Sequence, residues 1–194
     1  MAGLSMLVEA VSDVLDAGGS LDVVTGRIAT ELGQVIAGPG LEELFAGRQK
    51  SYTAFADPQR HFIVRCSVHH PGHLTEAHDH GEAWAVYGVV RGMSRYRRFS
   101  RQPDAAPNTA ALACVRDEEL APGQTDVVPP GEVHLIGNET DEMALNVVVR
   151  PRPIEEVWRR RFNLSTGAYV IHPGSLNTPC AADCCRHKGR SLST

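Results

Sequence analysis

The chain has 194 residues, of which 42% are hydrophobic and 22% are charged, and its formal net charge at pH 7 is -4. These values predict one soluble globular domain and exclude a disordered or fibrous chain. They also argue against a nucleic-acid partner, because a groove that follows phosphates needs an excess of Lys and Arg. No stretch approaches the roughly 20 apolar residues that cross a bilayer, so no membrane partner is predicted.

Cysteine usage and the first residues predict the compartment. The chain has an odd number of Cys, and three of them crowd together at Cys180, Cys184 and Cys185. This is not the even, spread pattern of a disulfide framework. The first apolar run has no basic leader and is broken by acidic residues, so it does not indicate a secretory signal. We therefore expect reduced thiols and a cytoplasmic protein.

Residues 1–50 predict a helical arm. Apolar residues recur at helical spacing over 4–15, where two glycines follow, and again over 21–36, where Ser20 is the candidate N-cap. A shorter third helix is expected from Leu41 to about Arg48. The apolar faces of these helices predict a supporting role, in which the arm packs on the next part of the chain.

Residues 51–160 predict an all-β barrel. Short apolar runs recur about every ten residues between turn residues, without long helical patterns, which favours an antiparallel sandwich or barrel. The segment QPDAAPNTAA is expected to be a less ordered insertion, and PRPIEEVWRRRF to add a turn of helix. Residues 161–194 are expected to be a C-terminal extension that ends in a loose tail. The predicted strands are HFIVRCSVH, EAWAVYGVV, MSRYRRFS, TDVVPPG, EVHLIGN and MALNVVV.

Three of the nine histidines are placed to act together. His78 and His80 lie two residues apart in a strand pattern, so both side chains leave the same face. His134 begins another strand directly after the turn predicted at 129–131. Three neutral nitrogen donors from two strands can hold one side of a divalent ion and leave the other side open. The sequence therefore predicts a metal site at these three residues.

The two segments that carry these histidines resemble the two motifs of the cupin superfamily. The spaced positions of the first motif are Gly72, His78, His80 and Gly92, and those of the second are Gly123, Pro129, Gly131, His134 and Asn138. The resemblance covers roughly residues 60–150. It implies a double-stranded β-helix barrel in which His78, His80 and His134 are the metal ligands. Cupins commonly pair through barrel edges, so the resemblance also implies a homodimer.

One departure from the cupin pattern bears on the chemistry. The first motif usually supplies a Glu between the second His and the closing Gly, where this chain has Trp84 and Ala85, and Glu82 is out of register. A site with three neutral ligands leaves the metal its full charge and favours a substrate that binds as an anion. This ligand set resembles that of the thiol dioxygenases and of the diketone-cleaving cupin dioxygenases. The resemblance implies Fe(II), with Zn, Ni or Mn as other choices.

Other thiol dioxygenase features are missing. Their Ser, His and Tyr on a late strand correspond here to Asn146, Val148 and Arg150, their cross-linking Cys has no counterpart near Ala85, and their carboxylate-binding Arg is replaced by Ala54. No catalytic residue is assigned. Tyr87 is expected to pack against the helical arm, and Trp84 to share the face of His78 and His80. The candidate substrate-binding residues are Trp84, Arg98, Arg65 and Arg150.

The predicted function is that of a non-haem iron dioxygenase that uses dioxygen to oxidise a small anionic substrate, a thiol to a sulfinate in the favoured version. Cleavage of a carbon–carbon bond in a diketone is the nearest alternative. Two other classes stay open at this point. One is a metal-dependent cupin isomerase or lyase without redox chemistry, and the other is a non-catalytic cupin that binds a small molecule.

Overall fold

The computed structural model describes residues 2–103 and 108–174. The predicted tail with its three cysteines lies outside these residues. Among the described residues, no helix is both long and apolar enough to span a bilayer. The helices are α1 (Ala2–Ala17), α2 (Leu21–Ala37) and two 3-10 helices, Glu42–Phe45 and Ile154–Glu156. The strands are β1 (Tyr52–Asp57), β2 (Phe62–His69), β3 (Ala77–His78), β4 (Ala85–Arg91), β5 (Ser94–Pro103), β6 (Ala110–Leu120), β7 (Thr125–Val128), β8 (Val133–Gly137), β9 (Ala144–Arg150), β10 (Arg159–Phe162) and β11 (Tyr169–His172).

The helical arm forms where the apolar periodicity predicts it. Helix α1 buries Leu7 and Val11, and α2 buries Ile28 and Leu32, all on the faces that the spacing indicates. Ser20 occupies the N-cap of α2 with extended backbone, although its side chain forms no capping hydrogen bond. The predicted third helix is shorter than expected and is the first 3-10 helix. Both long helices pack in one apolar cluster with strands of the barrel, which is the supporting role predicted for them.

Two antiparallel sheets make the barrel. The first sheet has the order β1-β2-β9-β4-β7 and the second has the order β11-β10-β3-β8-β5-β6. This is the all-β, double-stranded β-helix predicted from the two motifs, with the helical arm on one side. Alternation along β4 divides the first sheet into two faces: Val86 and Val90 pack towards the helices, whereas Ala85, Tyr87 and Val89 face the barrel interior.

Several strands carry no clear sequence signal. The segment expected to be a less ordered insertion has strand at both ends, because β5 runs to Pro103 and pairs there with Ala110 at the start of β6, while residues 104–107 lie outside the described residues. Strand β6 is rich in charged residues and mostly exposed, so it lacks apolar alternation. The second sheet also continues past residue 160, the expected end of the barrel, through β10 and β11.

Gly88 allows α2 to approach β4 closely. A Cβ atom there would lie 2.4 Å from Ile36 Cδ1 and 2.9 Å from two atoms of the fully buried Leu32. We expect Gly88→Val to lower the free energy of unfolding by about 1–3 kcal/mol through overpacking. Urea unfolding measures this change.

The matched control lies in the helix itself. A Cβ atom on Gly33 meets its nearest atoms at ordinary distances of 3.4 and 3.7 Å. Gly33→Ala should therefore leave stability unchanged or raise it by up to about 1 kcal/mol, because Ala is the better helix former. Equal losses in both variants would contradict close packing at Gly88.

Candidate metal centre

The three predicted ligands converge in the structure. His78 on β3 lies directly opposite His134 on β8, and His80 follows two residues after His78. The Nε2 atoms of His78 and His80 are 3.3 Å apart. Each of the three rings offers one nitrogen, and these nitrogens all lie within 4.8 Å of one another. This spacing suits three ligands on one side of a single ion.

Backbone carbonyls orient two of the three rings. The Nδ1 atom of His78 lies 2.8 Å from the Glu76 carbonyl oxygen, and the Nδ1 atom of His134 lies 3.4 Å from that of Glu132. A hydrogen bond from Nδ1–H to a carbonyl places the lone pair on Nε2. Both Nε2 atoms are therefore available as metal ligands.

Burial keeps the three imidazoles neutral. It lowers the pKa of His78 and places the pKa values of His80 and His134 well below the usual range. The neighbouring histidines add to this effect at His80. A neutral imidazole is the form that binds a metal ion. The donor set fits a divalent transition-metal ion such as iron, zinc, nickel or manganese.

No carboxylate completes this group among the described residues. Glu82, which the motif comparison places out of register, is exposed to solvent. The ligand set is therefore uncharged, as expected from the departure at Trp84 and Ala85.

Asp79, between His78 and His80, directly follows β3 and is fully buried. Its carboxylate accepts hydrogen bonds from the Arg160 backbone N–H at 2.8 Å, the Arg160 guanidinium at 2.9 Å and the Gly81 N–H at 3.2 Å. Gly81 has a positive φ of 56°, and a Cβ there would lie 2.0 Å from the Trp158 carbonyl oxygen. Asp79 and Gly81 thus fix the histidine segment to β10.

Sequence reasoning missed Tyr87, and the prediction that it packs against the helical arm is wrong. Its side chain lies in the interior cluster, and its hydroxyl is 3.5 Å from His134 Nε2. Burial raises its pKa, so the phenol stays protonated. Trp84 does not share the face of His78 and His80; it packs in the cluster with the helices. The turn at Gly81 breaks the strand between His80 and β4, so alternation cannot be counted across it.

The wall opposite the histidines comes from β2, β4 and β9. Asn146, Val148 and Arg150 alternate on the inner face of β9, as the comparison with the late strand of thiol dioxygenases implies. Val148 lies in the interior cluster, and Asn146 exchanges hydrogen bonds with the Ser94 hydroxyl at 3.0 and 3.2 Å. Asn146 therefore joins this wall to β5.

The three arginines expected to bind substrate have different surroundings. Arg98 lies opposite His134 in the sheet, but its guanidinium pairs with Asp126 at 2.6 Å and with Glu132 at 2.9 Å. Arg65 lies on the inner face of β2, where its register partner is Val148 on β9. Arg150 is 5% exposed, and its Nε and Nη2 atoms have no hydrogen-bond partner. Arg98 is thus neutralised within the protein, and Arg150 is not.

His69, at the end of β2, makes the fold sensitive to acid. Burial, followed by the charges of His73 and Arg65, lowers the pKa of His69 to about 4 from an ordinary value of 6.5. The buried neutral ring makes its full contribution to the stability of the fold above pH 6.5, and this contribution is lost as the pH falls towards 4. The free energy of unfolding of the parent should fall over this pH range. In His69→Leu we expect this fall to be smaller by up to about 3 kcal/mol.

Chemical unfolding at several pH values measures that slope. The three ligand histidines contribute to acid lability in the parent and the variant alike, so the difference isolates His69. His61→Asn serves as control, because His61 is exposed and has a positive φ that Asn tolerates. Identical pH slopes in the parent and His69→Leu would contradict a neutral, buried His69.

Comparisons with known proteins identify related backbones only. No family model and no curated protein matches the chain. A solved structure from Thermus thermophilus matches 54% of this chain and 87% of its own, at 24% identity and a TM-score of 0.42. An uncharacterized conserved protein with a double-stranded beta-helix domain from Klebsiella pneumoniae matches 64% of this chain and 85% of its own, at 15% identity and a TM-score of 0.41. The Cupin_2 domain of an XRE family transcriptional regulator from Enterobacter cloacae matches 53% and 95%, at 16% identity and a TM-score of 0.40.

Proposed function

We propose that the protein is an Fe(II)-dependent dioxygenase that oxidises a small anionic thiol to a sulfinate. The overall reaction is RSH + O2 → RSO2H. Both oxygen atoms of dioxygen end on sulfur, which loses four electrons, and dioxygen gains those four electrons. The thiol proton remains with the sulfinic acid or passes to water. No further reductant is needed.

The observation that carries this proposal is the uncharged ligand set inside the barrel. Three neutral imidazoles, of which His80 and His134 are buried and His78 is partly exposed, converge without a carboxylate among the described residues. A divalent ion held this way keeps its positive charge and attracts a thiolate more strongly than a site with an acidic ligand does. The other polar groups near the histidines also favour an anion, because Arg65 and Arg150 face the same interior.

The protein's own residues have defined tasks in this reaction. A bound divalent iron supplies redox chemistry with dioxygen and a positive charge that favours the thiolate. His78, His80 and His134 supply neutral Nε2 donors. The Tyr87 hydroxyl keeps its proton and can donate it in a hydrogen bond to an oxygen or sulfur atom beside His134. Val89 and Val148 keep the adjoining wall apolar and so limit access of water.

Metal analysis of the purified protein, combined with oxygen uptake over a panel of small thiols and β-diketones, tests the proposal. Iron together with thiol-dependent uptake and a product that carries two added oxygen atoms is the expected result. Uptake with diketones alone would favour carbon–carbon cleavage instead. Zinc or manganese without oxygen uptake would point to an isomerase or lyase, and ligand binding that survives in metal-free His134→Ala would point to a binding protein. Each of the last three results contradicts thiol oxidation.

A further inference from the structure

Arg150 is a charged side chain in the barrel interior, and no described residue forms a salt bridge with it. It is 5% exposed, and its Nε and Nη2 atoms are buried without a hydrogen-bond partner. Within residues 2–103 and 108–174 it forms no ion pair. A buried charge is normally paired, because its removal from water is costly. An unpaired guanidinium at this depth therefore indicates an anion other than the acidic side chains of residues 2–103 and 108–174.

A second arginine lies beside it. Arg65 on β2 pairs with Val148, two residues before Arg150 on β9, so the two arginines are diagonal neighbours on the inner face. Diagonal neighbours are about 7–8 Å apart at the backbone, within reach of long side chains. Burial lowers the pKa of Arg150, and the charge of Arg65 adds to this effect. The two guanidiniums therefore repel each other across a shared space.

The acidic groups of the interior do not neutralise this pair. Asp126 binds Arg98 at 2.6 Å and Arg116 at 2.8 Å, and Glu132 binds Arg98. The exposed Glu155 raises the pKa of Arg150 through its field, without forming an ion pair with it among the described residues. Among the described residues, two positive charges are thus without a neutralising partner.

This pair lies next to the histidines. Arg65, Val148 and Tyr87 form one row across β2, β9 and β4. Tyr87 in turn contacts His134 at 3.5 Å. A small molecule held by the arginines therefore has the histidine nitrogens beside it.

We propose that Arg150 and Arg65 form a subsite for a small dicarboxylate, with one carboxylate on each guanidinium. A planar guanidinium matches a carboxylate through two parallel hydrogen bonds, so each arginine suits one such group. The inference deepens the proposed function and rests on it for one point: the thiol substrate carries two carboxylates besides its sulfur. Arg98 has no part in this subsite.

Calorimetric titration with succinate and with monomethyl succinate, at constant ionic strength, tests the subsite. The protein is used as purified, with its metal content measured. We expect succinate to bind at least about tenfold more tightly than its monoester, which has one charge fewer. Arg150→Gln and Arg65→Gln should each weaken succinate binding by about tenfold or more. Arg91→Gln is the matched control, because Arg91 is exposed at the end of β4, and it should bind succinate like the parent protein.

Thermal melting of Arg150→Met separates a binding role from a structural one. Removal of an unpaired buried charge should leave the ligand-free melting temperature equal or higher. The rise in melting temperature that succinate causes in the parent should disappear. Equal binding of succinate and its monoester, or a lower melting temperature for Arg150→Met without ligand, would overturn the subsite.

The outcome for the dioxygenase proposal can be distinguished from the outcome for the subsite. Protein without iron or oxygen uptake that still prefers succinate contradicts the dioxygenase and supports the dicarboxylate subsite. Iron-dependent uptake with simple thiols, combined with equal succinate and monoester binding, supports the dioxygenase and overturns the subsite.

Discussion

Replacing His134 with alanine should abolish stoichiometric metal binding. His134 is 1% exposed and lies opposite His78 in the paired strands, where it supplies one of the three nitrogens of the group. Loss of a group that merely orients a ligand already costs about 10- to 100-fold in metal affinity. Loss of one of three ligands should cost more than that. Elemental analysis after anaerobic iron addition and gel filtration measures the change.

His73→Ala is the matched control for this experiment. His73 is the same residue type, but its side chain is exposed and lies outside the three-histidine group. Its metal content should equal that of the parent. Circular dichroism shows whether each variant is folded. Folded His134→Ala that retains one metal ion per chain would contradict the proposed centre.

Asp79→Asn should have the second largest effect, on stability and on metal binding together. The substitution removes the ion pair with the Arg160 guanidinium and leaves an amide whose N–H2 group can face that guanidinium, donor against donor. Breaking a buried pair costs about 3–5 kcal/mol when both partners are fully buried. Because the Arg160 side chain is 15% exposed, we expect about 2–3 kcal/mol. Urea unfolding of the metal-free protein measures it.

Metal affinity should fall as well. Asp79 lies between His78 and His80 and ties their segment to β10, so its loss allows both rings to move. An orienting contact of this kind is worth about tenfold in affinity. Asp117→Asn is the control: Asp117 pairs with Arg95 and Arg97 at the surface, where an ion pair contributes less than about 1 kcal/mol. Equal effects of the two variants would show that burial of Asp79 has no special role.

The sequence predicts those parts of the molecule in which one periodicity runs unbroken. The helices of the arm and the buried strands β2 and β9 follow from their apolar patterns. His78, His80 and His134 follow from two motifs whose turns fix the register. The pairing of β3 with β8 then brings these histidines together.

The rest depends on contacts between distant segments. Strand β6 is mostly exposed and is ordered by its long pairing with β5, which no local pattern reveals. Tyr87 faces the barrel interior and Trp84 packs towards the helices, the reverse of the prediction. The chain turns at Gly81, and counting residues across a turn loses the register. Among the described residues, the lack of a salt bridge at Arg150 likewise depends on the other sheet. Asp126 lies on β7 of the first sheet, but its carboxylate binds Arg98 and Arg116 on β5 and β6 of the second sheet.

The two walls of the site are stabilised by different interactions, because the helical arm packs against one of the two sheets. The wall with Arg65 and Arg150 belongs to a sheet that packs against apolar helices. The wall with His134 belongs to a sheet whose β5 carries surface ion pairs from Arg95 and Arg97. Dissolved sodium chloride screens surface ion pairs, whereas sulfate strengthens apolar burial. The stability of the two walls should therefore respond differently to sodium chloride and to sulfate, without any change of sequence.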